Sequence, residues 1–234
     1  FVLIDTVVYS TDGISSVTTQ AKAMNSNYAA TYWPWLQVPD QQLGGNTWVP
    51  PSVAMAGTYA FSDKVGAPWF APAGLNRGVM GNVTQAKRKL TQKNRDELYT
   101  KNVNPIATFP GQGVVVWGQK TLQKKASALD RVNVRRLLIK LKKFISASSR
   151  FLVFEQNTAV TREKFLGIVN PYLEKVKAQS GLSAFKVVMD ESNNTPDVID
   201  RNQLYGQILI QPTRTAEFIM LDFTVQPTGA TFSE

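Results

Sequence analysis

The sequence predicts an α/β layer followed by an α+β unit, from two patterns that change over near residue 119. Up to about Gly118, apolar strand-like runs alternate with helix-like segments, the order expected of a sheet covered by helices. Beyond a linker-like stretch at 120–128, two helical segments come first and short strands follow. With 234 residues there is chain enough for one large domain or two ordinary ones. The content of 43% apolar and 10% aromatic residues lies well outside the disordered range.

Taken in order, residues 1–9 and 28–38 (YAATYWPWLQV) read as strands, joined by a polar segment that turns at Asp12-Gly13. VPPSVAMAGTYA opens on two prolines and continues through small residues, which predicts a tightly packed helix from near Pro51. Residues 66–78 form a Pro/Gly loop with buried aromatics, and 91–99 a short helix with Thr91 as N-cap. Residues 103–106 and 113–117 follow as strands. GVVVWG, apolar between glycines, predicts a strand covered on both faces.

In the second unit Val134, Leu137, Leu138, Leu141 and Ile145 recur at i, i+3, i+4, i+7 and i+11, one face of an amphipathic helix. Arg136, Lys140 and Lys143 fall opposite that stripe, with Arg135 and Lys142 on its flank. Residues 151–154 read as a short strand. The segment 161–179 reads as a helix capped by Thr161, ended at Gly181 and kinked or broken at Pro171. Strands are expected at 185–189, 207–211 and 217–225, before a polar tail.

Composition narrows the chemistry. Without Cys there is neither disulfide nor thiolate chemistry, and an intracellular origin fits. Without His the usual general base and the commonest metal ligand are missing, so no catalytic, metal or cofactor residue is assigned. Asp190, Glu191, Asp197 and Asp200 flank NNTP, but their spacing does not fit an EF-hand, and a solvated or neighbour-facing loop is expected. Trp33, Trp35, Trp48, Trp69 and Trp117 read as core or loop anchors. No apolar run reaches the roughly 20 residues that span a bilayer. The opening FVLIDTVVYS lacks a basic n-region, so it reads as a buried strand and the chain as a fragment of something longer.

The net charge of +9 is concentrated. Between Met80 and Arg150 lie 16 of the 26 Lys and Arg but only 3 of the 17 carboxylates. A located basic patch in an otherwise mildly acidic chain implies an acidic partner.

WVPPSVAMAG, the APAG after the Pro-rich loop, NVNPI, VVVWGQKTL, NVRRLL, VFEQN and the late AEFI occur in the order seen in tail sheath proteins. The chain thus resembles, from about Tyr28 to Phe218, the sheath subunits of contractile-tailed bacteriophages and related injection machines. Its ending DFTVQPTGATFSE is similar to the T-even branch. WGQKTL stands where many relatives have Arg before Thr, and the family's N-terminal arm and outer insertion domains are not in this chain.

The resemblance implies the end of a subtilisin-like α/β domain at 1–119, a tube-facing α+β domain at 120–222 and a C-terminal arm at 223–234. It implies a structural subunit of the virion tail, not an enzyme, assembled in the host cytoplasm without a cofactor. Hexameric rings would stack around the inner tail tube protein, bounded by baseplate and tail terminator proteins, with no direct nucleic-acid or membrane contact. Contraction would drive the tube through the host envelope for genome ejection. PPSVAMAG also resembles the helix that follows the nucleophile of subtilisin-like proteases, with Ser52 near its start. Without His no Ser-His-Asp triad can be built.

For the basic helix three readings stand: a solvated face over a core helix, a nucleic-acid surface, and, from the resemblance, a grip on an acidic tube wall. The third assigns tube contact to Arg135, Arg136, Lys140, Lys142 and Lys143. The last strand is either an ordinary sheet edge or one that pairs with a neighbouring subunit through Leu221, Phe223, Val225 and Phe232. The alternative for the whole chain is a basic nucleic-acid-associated assembly protein, a capsid or nucleoid component.

Overall fold

The computed structural model describes residues 1–42 and 44–221. A four-stranded sheet is built from β1 (Val2–Ile4), β2 (Ala29–Trp33), β6 (Val103–Phe109) and β7 (Gly113–Val116) in the order β1-β2-β6-β7. The first three strands are parallel and β7 is antiparallel to β6. Successive side chains of a strand point to opposite faces. In β2, Ala30 and Tyr32 therefore enter one core with Met55, Ile106 and Val116, while Ala29 and Trp33 enter another with Val17, Leu98 and Val103. Helix α2 (Pro51–Val65) covers the first face; α1 (Ile14–Ala23) and α3 (Gln92–Thr100) cover the second. Each large apolar side chain so buried contributes roughly 1.5–3 kcal/mol.

A second sheet, β4-β3-β5, joins β3 (Leu36–Pro39) to β4 (Asn46–Val49) and β5 (Gln85–Ala86). It divides what the sequence reads as one strand at 28–38. The chain leaves the first sheet at Trp33, passes Pro34, which has no N–H for a ladder, and enters the second at Leu36. The strand expected at 1–9 is likewise only Val2–Ile4, and Tyr9–Thr11 is a 3-10 turn. Helix α1 occupies the segment read as polar. Its Ser and Thr mask a short apolar stripe, of which Val17 and Ala21 are buried.

Other expectations hold in detail. Helix α2 starts at Pro51, Thr91 caps α3 by accepting from the Asn94 amide at 3.3 Å, and Val114, Val115 and Val116 are buried on both faces of the sheet.

A third core lies under α4 (Val132–Ser149), α5 (Ala159–Ala178) and the antiparallel pair β8 (Leu182–Val188) and β9 (Gln207–Pro212). Helix α5 is capped by Thr158, not Thr161, through the Thr161 amide at 3.4 Å. It continues through Pro171, which sits on the exposed face, where the carbonyl of Gly167 freed by the missing N–H meets solvent. Trp69, from the loop after α2, enters this third core: its Nε1 donates to the Gln179 carbonyl at 3.0 Å and its carbonyl accepts from Asn133 Nδ2 at 3.2 Å. A Cβ on Gly181 would stand 3.1 Å from the Trp69 ring, so glycine there admits the indole.

The acidic segment is an organised loop. Asp190 Oδ1 accepts from the Ser192 amide at 2.9 Å, Asn194 bridges to the Tyr205 backbone, and the short helix α6 (Pro196–Asp200) follows. Among the described residues no group of three or more His, Cys, Asp or Glu is placed to hold a metal ion, and no helix is long and apolar enough to cross a membrane.

Candidate interface on the basic helix

Helix α4 forms where the sequence places it because its apolar stripe is buried along most of its length. Val134, Leu137 and Leu141 are buried, with Leu138 and Ile145 packed at the margin. The helix starts against the first unit: the Val132 amide donates to the Gln119 carbonyl at 2.8 Å, and the Thr121 amide to that of Asp130 at 2.9 Å.

The basic residues divide along the helix. Arg131 pairs with Asp130 at 3.0 Å and with Glu217 at 2.8 Å. Arg135 is only 5% exposed; its guanidinium carbon lies 3.5 Å from the Tyr28 ring centroid and it donates to Asn27 Oδ1. Arg136 pairs with Asp63 at 2.6 Å and sits 4.6 Å over the Tyr59 ring. Behind it Tyr59 and Tyr32 share a hydrogen bond of 2.8 Å, and burial pushes both phenols well above their ordinary range. These two arginines differ from the free basic surface the sequence suggests, because carboxylate, amide and aromatic partners inside the chain already occupy them. Lys140, Lys142 and Lys143 are exposed and enter no ion pair among the described residues.

Of the strand expected at 217–225, residues 217–221 join no strand among the described residues, and side chains hold the segment instead; 222–225 lie outside the described residues. Glu217 Oε1 accepts from Arg131 Nε at 2.8 Å and Gln119 Nε2 at 3.1 Å, and Oε2 accepts from the Tyr99 hydroxyl at 2.6 Å. Thr215 accepts from Gln119 at 2.7 Å, and the Phe218 ring meets Tyr99 edge-on. Burial, then the bond to Glu217, pushes the Tyr99 phenol up. Past this clasp Ile219, Met220 and Leu221 are bare, Met220 at 94% exposure. Phe223, Val225 and Phe232 lie outside the described residues.

The expected turn of strand at 151–154 is absent as well. A 3-10 turn (Arg150–Leu152) closes α4, Leu152 packs on the third core, and Phe154 has φ +70°. Four apolar residues in a run look like a strand whichever way they point, so composition alone does not distinguish the two.

Ser52 is part of a helix cap. Its amide donates to Asp5 Oδ1 at 3.1 Å and its hydroxyl to Oδ2, so a carboxylate from the end of β1 satisfies the first turn of α2.

The phage tail sheath protein central domain matches residues 5–122, and the phage tail sheath C-terminal domain matches 124–226. The chain is 39% identical to the tail sheath protein of Vibrio phage KVP40 over 95% of its length and 34% of that protein. It is 38% identical to the tail sheath protein of Enterobacteria phage T4 over 96% of its length and 33% of that protein. It therefore spans about a third of these curated relatives. In structure it resembles the anti-feeding prophage helical sheath in the contracted state, with a TM-score of 0.80 and 29% identity, covering 96% of this chain and 61% of that one.

Proposed function

Because this chain belongs to the phage tail sheath protein family, we propose that it forms part of the structural subunit of a contractile tail sheath. The observation that carries the proposal is its likeness, along nearly its whole length, to a helical sheath chain. In this reading residues 1–119 end a subtilisin-like α/β domain, 120–222 form the tube-facing domain and 223–234 an arm to neighbouring subunits. The subunit polymerises as hexameric rings around an inner tube in the virion tail, bounded by baseplate and terminator proteins and assembled in the host cytoplasm. Contraction rearranges subunit contacts and drives the tube through the host envelope, with no catalytic step. That the relatives are sheath proteins favours this reading over a nucleic-acid-associated one.

Within it, the tube-gripping charges are Lys140, Lys142 and Lys143, which enter no ion pair among the described residues, with Arg135 and Arg136 behind them as the helix's own fixings. Exposed ion pairs contribute only about 0–1 kcal/mol each. Lysines can therefore register a subunit on an acidic wall and release it when contraction moves it outward. The test is negative-stain microscopy of the intact polypeptide carrying Lys140→Glu, Lys142→Glu and Lys143→Glu. Sheath that polymerises but no longer follows tubes is the expected outcome. Unimpaired decoration of tubes removes the lysines from the interface; DNA retained by monomers in a salt-sensitive way favours the nucleic-acid reading.

A further inference from the structure

The last described segment, 213–221, is fastened at a single point. Its Thr213 amide donates to the Gly181 carbonyl at 3.2 Å, but among the described residues the backbone of 214–221 makes no hydrogen bond. From Arg214 to Leu221 every residue except Glu217 is exposed. The Glu217 side chain is 15% exposed, and Gln119, one of its donors, only 2%. Two hollows of about 500 and 550 Å³ are each lined in part by Thr215, Ala216, Glu217 and Phe218, so open space adjoins the segment where packing would otherwise hold it. A strand ladder opens bond by bond. A segment pinned through one carboxylate lets go when that contact breaks.

The donors around that carboxylate are held in place without it. The Tyr99 hydroxyl, Gln119 Nε2 and Arg131 Nε come from three separate segments and together reach both oxygens of Glu217. Asp130 holds Arg131 Nη1 at 3.0 Å. Lys120 donates to the Tyr99 carbonyl at 2.8 Å and sits 4.3 Å over the Tyr99 ring. The Gln119 carbonyl is tied to the start of α4 through the Val132 amide at 2.8 Å. If Glu217 leaves, Lys120 and Arg131 are balanced locally by Asp130 alone, and one positive charge remains beside three converging donors. A flat monoanion with two acceptor oxygens matches that arrangement, because charge-assisted bonds to a carboxylate are short and strong. We propose that Tyr99, Gln119 and Arg131 form a binding site for a monocarboxylate, filled by Glu217 as a tethered ligand, and that 213–221 is a strap opened and closed by this one contact. Its release frees the chain beyond β9 while the three cores stay packed.

Acetate carries the atoms that Glu217→Ala removes beyond Cβ, which makes it the probe for the site. In the intact polypeptide with Glu217→Ala, saturation-transfer NMR should detect acetate binding that levels off as acetate is added. The same signal should be absent from the parent protein, whose site is filled, and from Glu217→Ala combined with Arg131→Gln. Equal transfer in all three proteins overturns the site. Displacement of acetate by chloride as readily as by formate makes it a general anion patch and overturns the carboxylate assignment. The strap is read by trypsin cleavage after Arg214, with cleavage after exposed Lys143 as the internal standard. Glu217→Gln keeps the size of the side chain and removes its charge. Cleavage after Arg214 should then run about tenfold faster, since proteolysis follows the population of the open form and hydrogen bonds to charged groups are the stronger ones. Unchanged cleavage at Arg214, or equal acceleration at Lys143, overturns the strap. This second variant decides the proposal even where Glu217→Ala does not fold.

Discussion

The two halves of α4 have the same kind of composition and opposite fates. The N-terminal half, with Arg131 just before it, carries Arg135 and Arg136, each held by a carboxylate, an amide or an aromatic ring of the chain itself. The C-terminal half, with Arg150 just after it, carries Lys140, Lys142 and Lys143, all exposed. The division follows side-chain chemistry. A guanidinium is weakly hydrated, planar and able to stack while it hydrogen-bonds, so it tolerates burial against Tyr28 or Tyr59; an ammonium keeps its water. Arginine here joins parts of one molecule, and lysine stays exposed to solvent. A count of positive charge along a helix therefore overstates the surface on offer.

That contrast yields a graded set of expectations, with the largest effect beside the buried half. Trp69 packs against Leu137 and Leu141 and carries two hydrogen bonds that tie the loop after α2 to α4 and α5. Trp69→Ala should cost about 3–5 kcal/mol in urea unfolding, as large-to-small changes in a core do. A loss below about 1 kcal/mol would mean that the two units are not joined through this residue.

Next comes the arginine end proper, where Glu217 receives Arg131, Gln119 and Tyr99 together. Glu217→Ala leaves three partly buried donors without their acceptor and should destabilise by about 1–3 kcal/mol. Hydrogen exchange gives the sharper readout: amides at 213–221 should lose protection while those of β6 and β7 keep theirs. Equal loss everywhere would make Glu217 a general core residue and not the clasp of the last segment.

The sequence disclosed the halves unequally. The apolar stripe of α4 is local, with a period visible within a dozen residues, and the helix lies where that period puts it. The partners of its arginines are remote: Asn27 lies 108 residues from Arg135, and Asp63 lies 73 from Arg136. Nothing in the spacing of one helix announces them, though an aromatic next to Asn27 and the single acid of α2, Asp63, were available as hints. The same limit explains the strands. YAATYWPWLQV is largely apolar throughout, and only the sheet that each part joins divides it at Pro34. AEFIM has the composition of a strand, but a strand needs a neighbour, and Glu217 instead finds donors on three separate segments.

The smallest effect is the most telling. Replacing Lys140, Lys142 and Lys143 by Glu changes charge at exposed positions that enter no ion pair among the described residues. Surface substitutions of this kind stay within about 0.5 kcal/mol, so the melting temperature should move by less than about 2 °C. Arg135→Glu, a single reversal of the same kind three turns or fewer away, places a carboxylate where a guanidinium now stacks on Tyr28 and should lower it by well over that. If the lysine variant is destabilised as much as the arginine one, the C-terminal half also serves the fold and the division of labour along α4 is wrong. If only the arginine variant melts early, the lysines are surplus to folding, and a cluster of like charges kept without a folding role calls for an acidic surface outside the molecule.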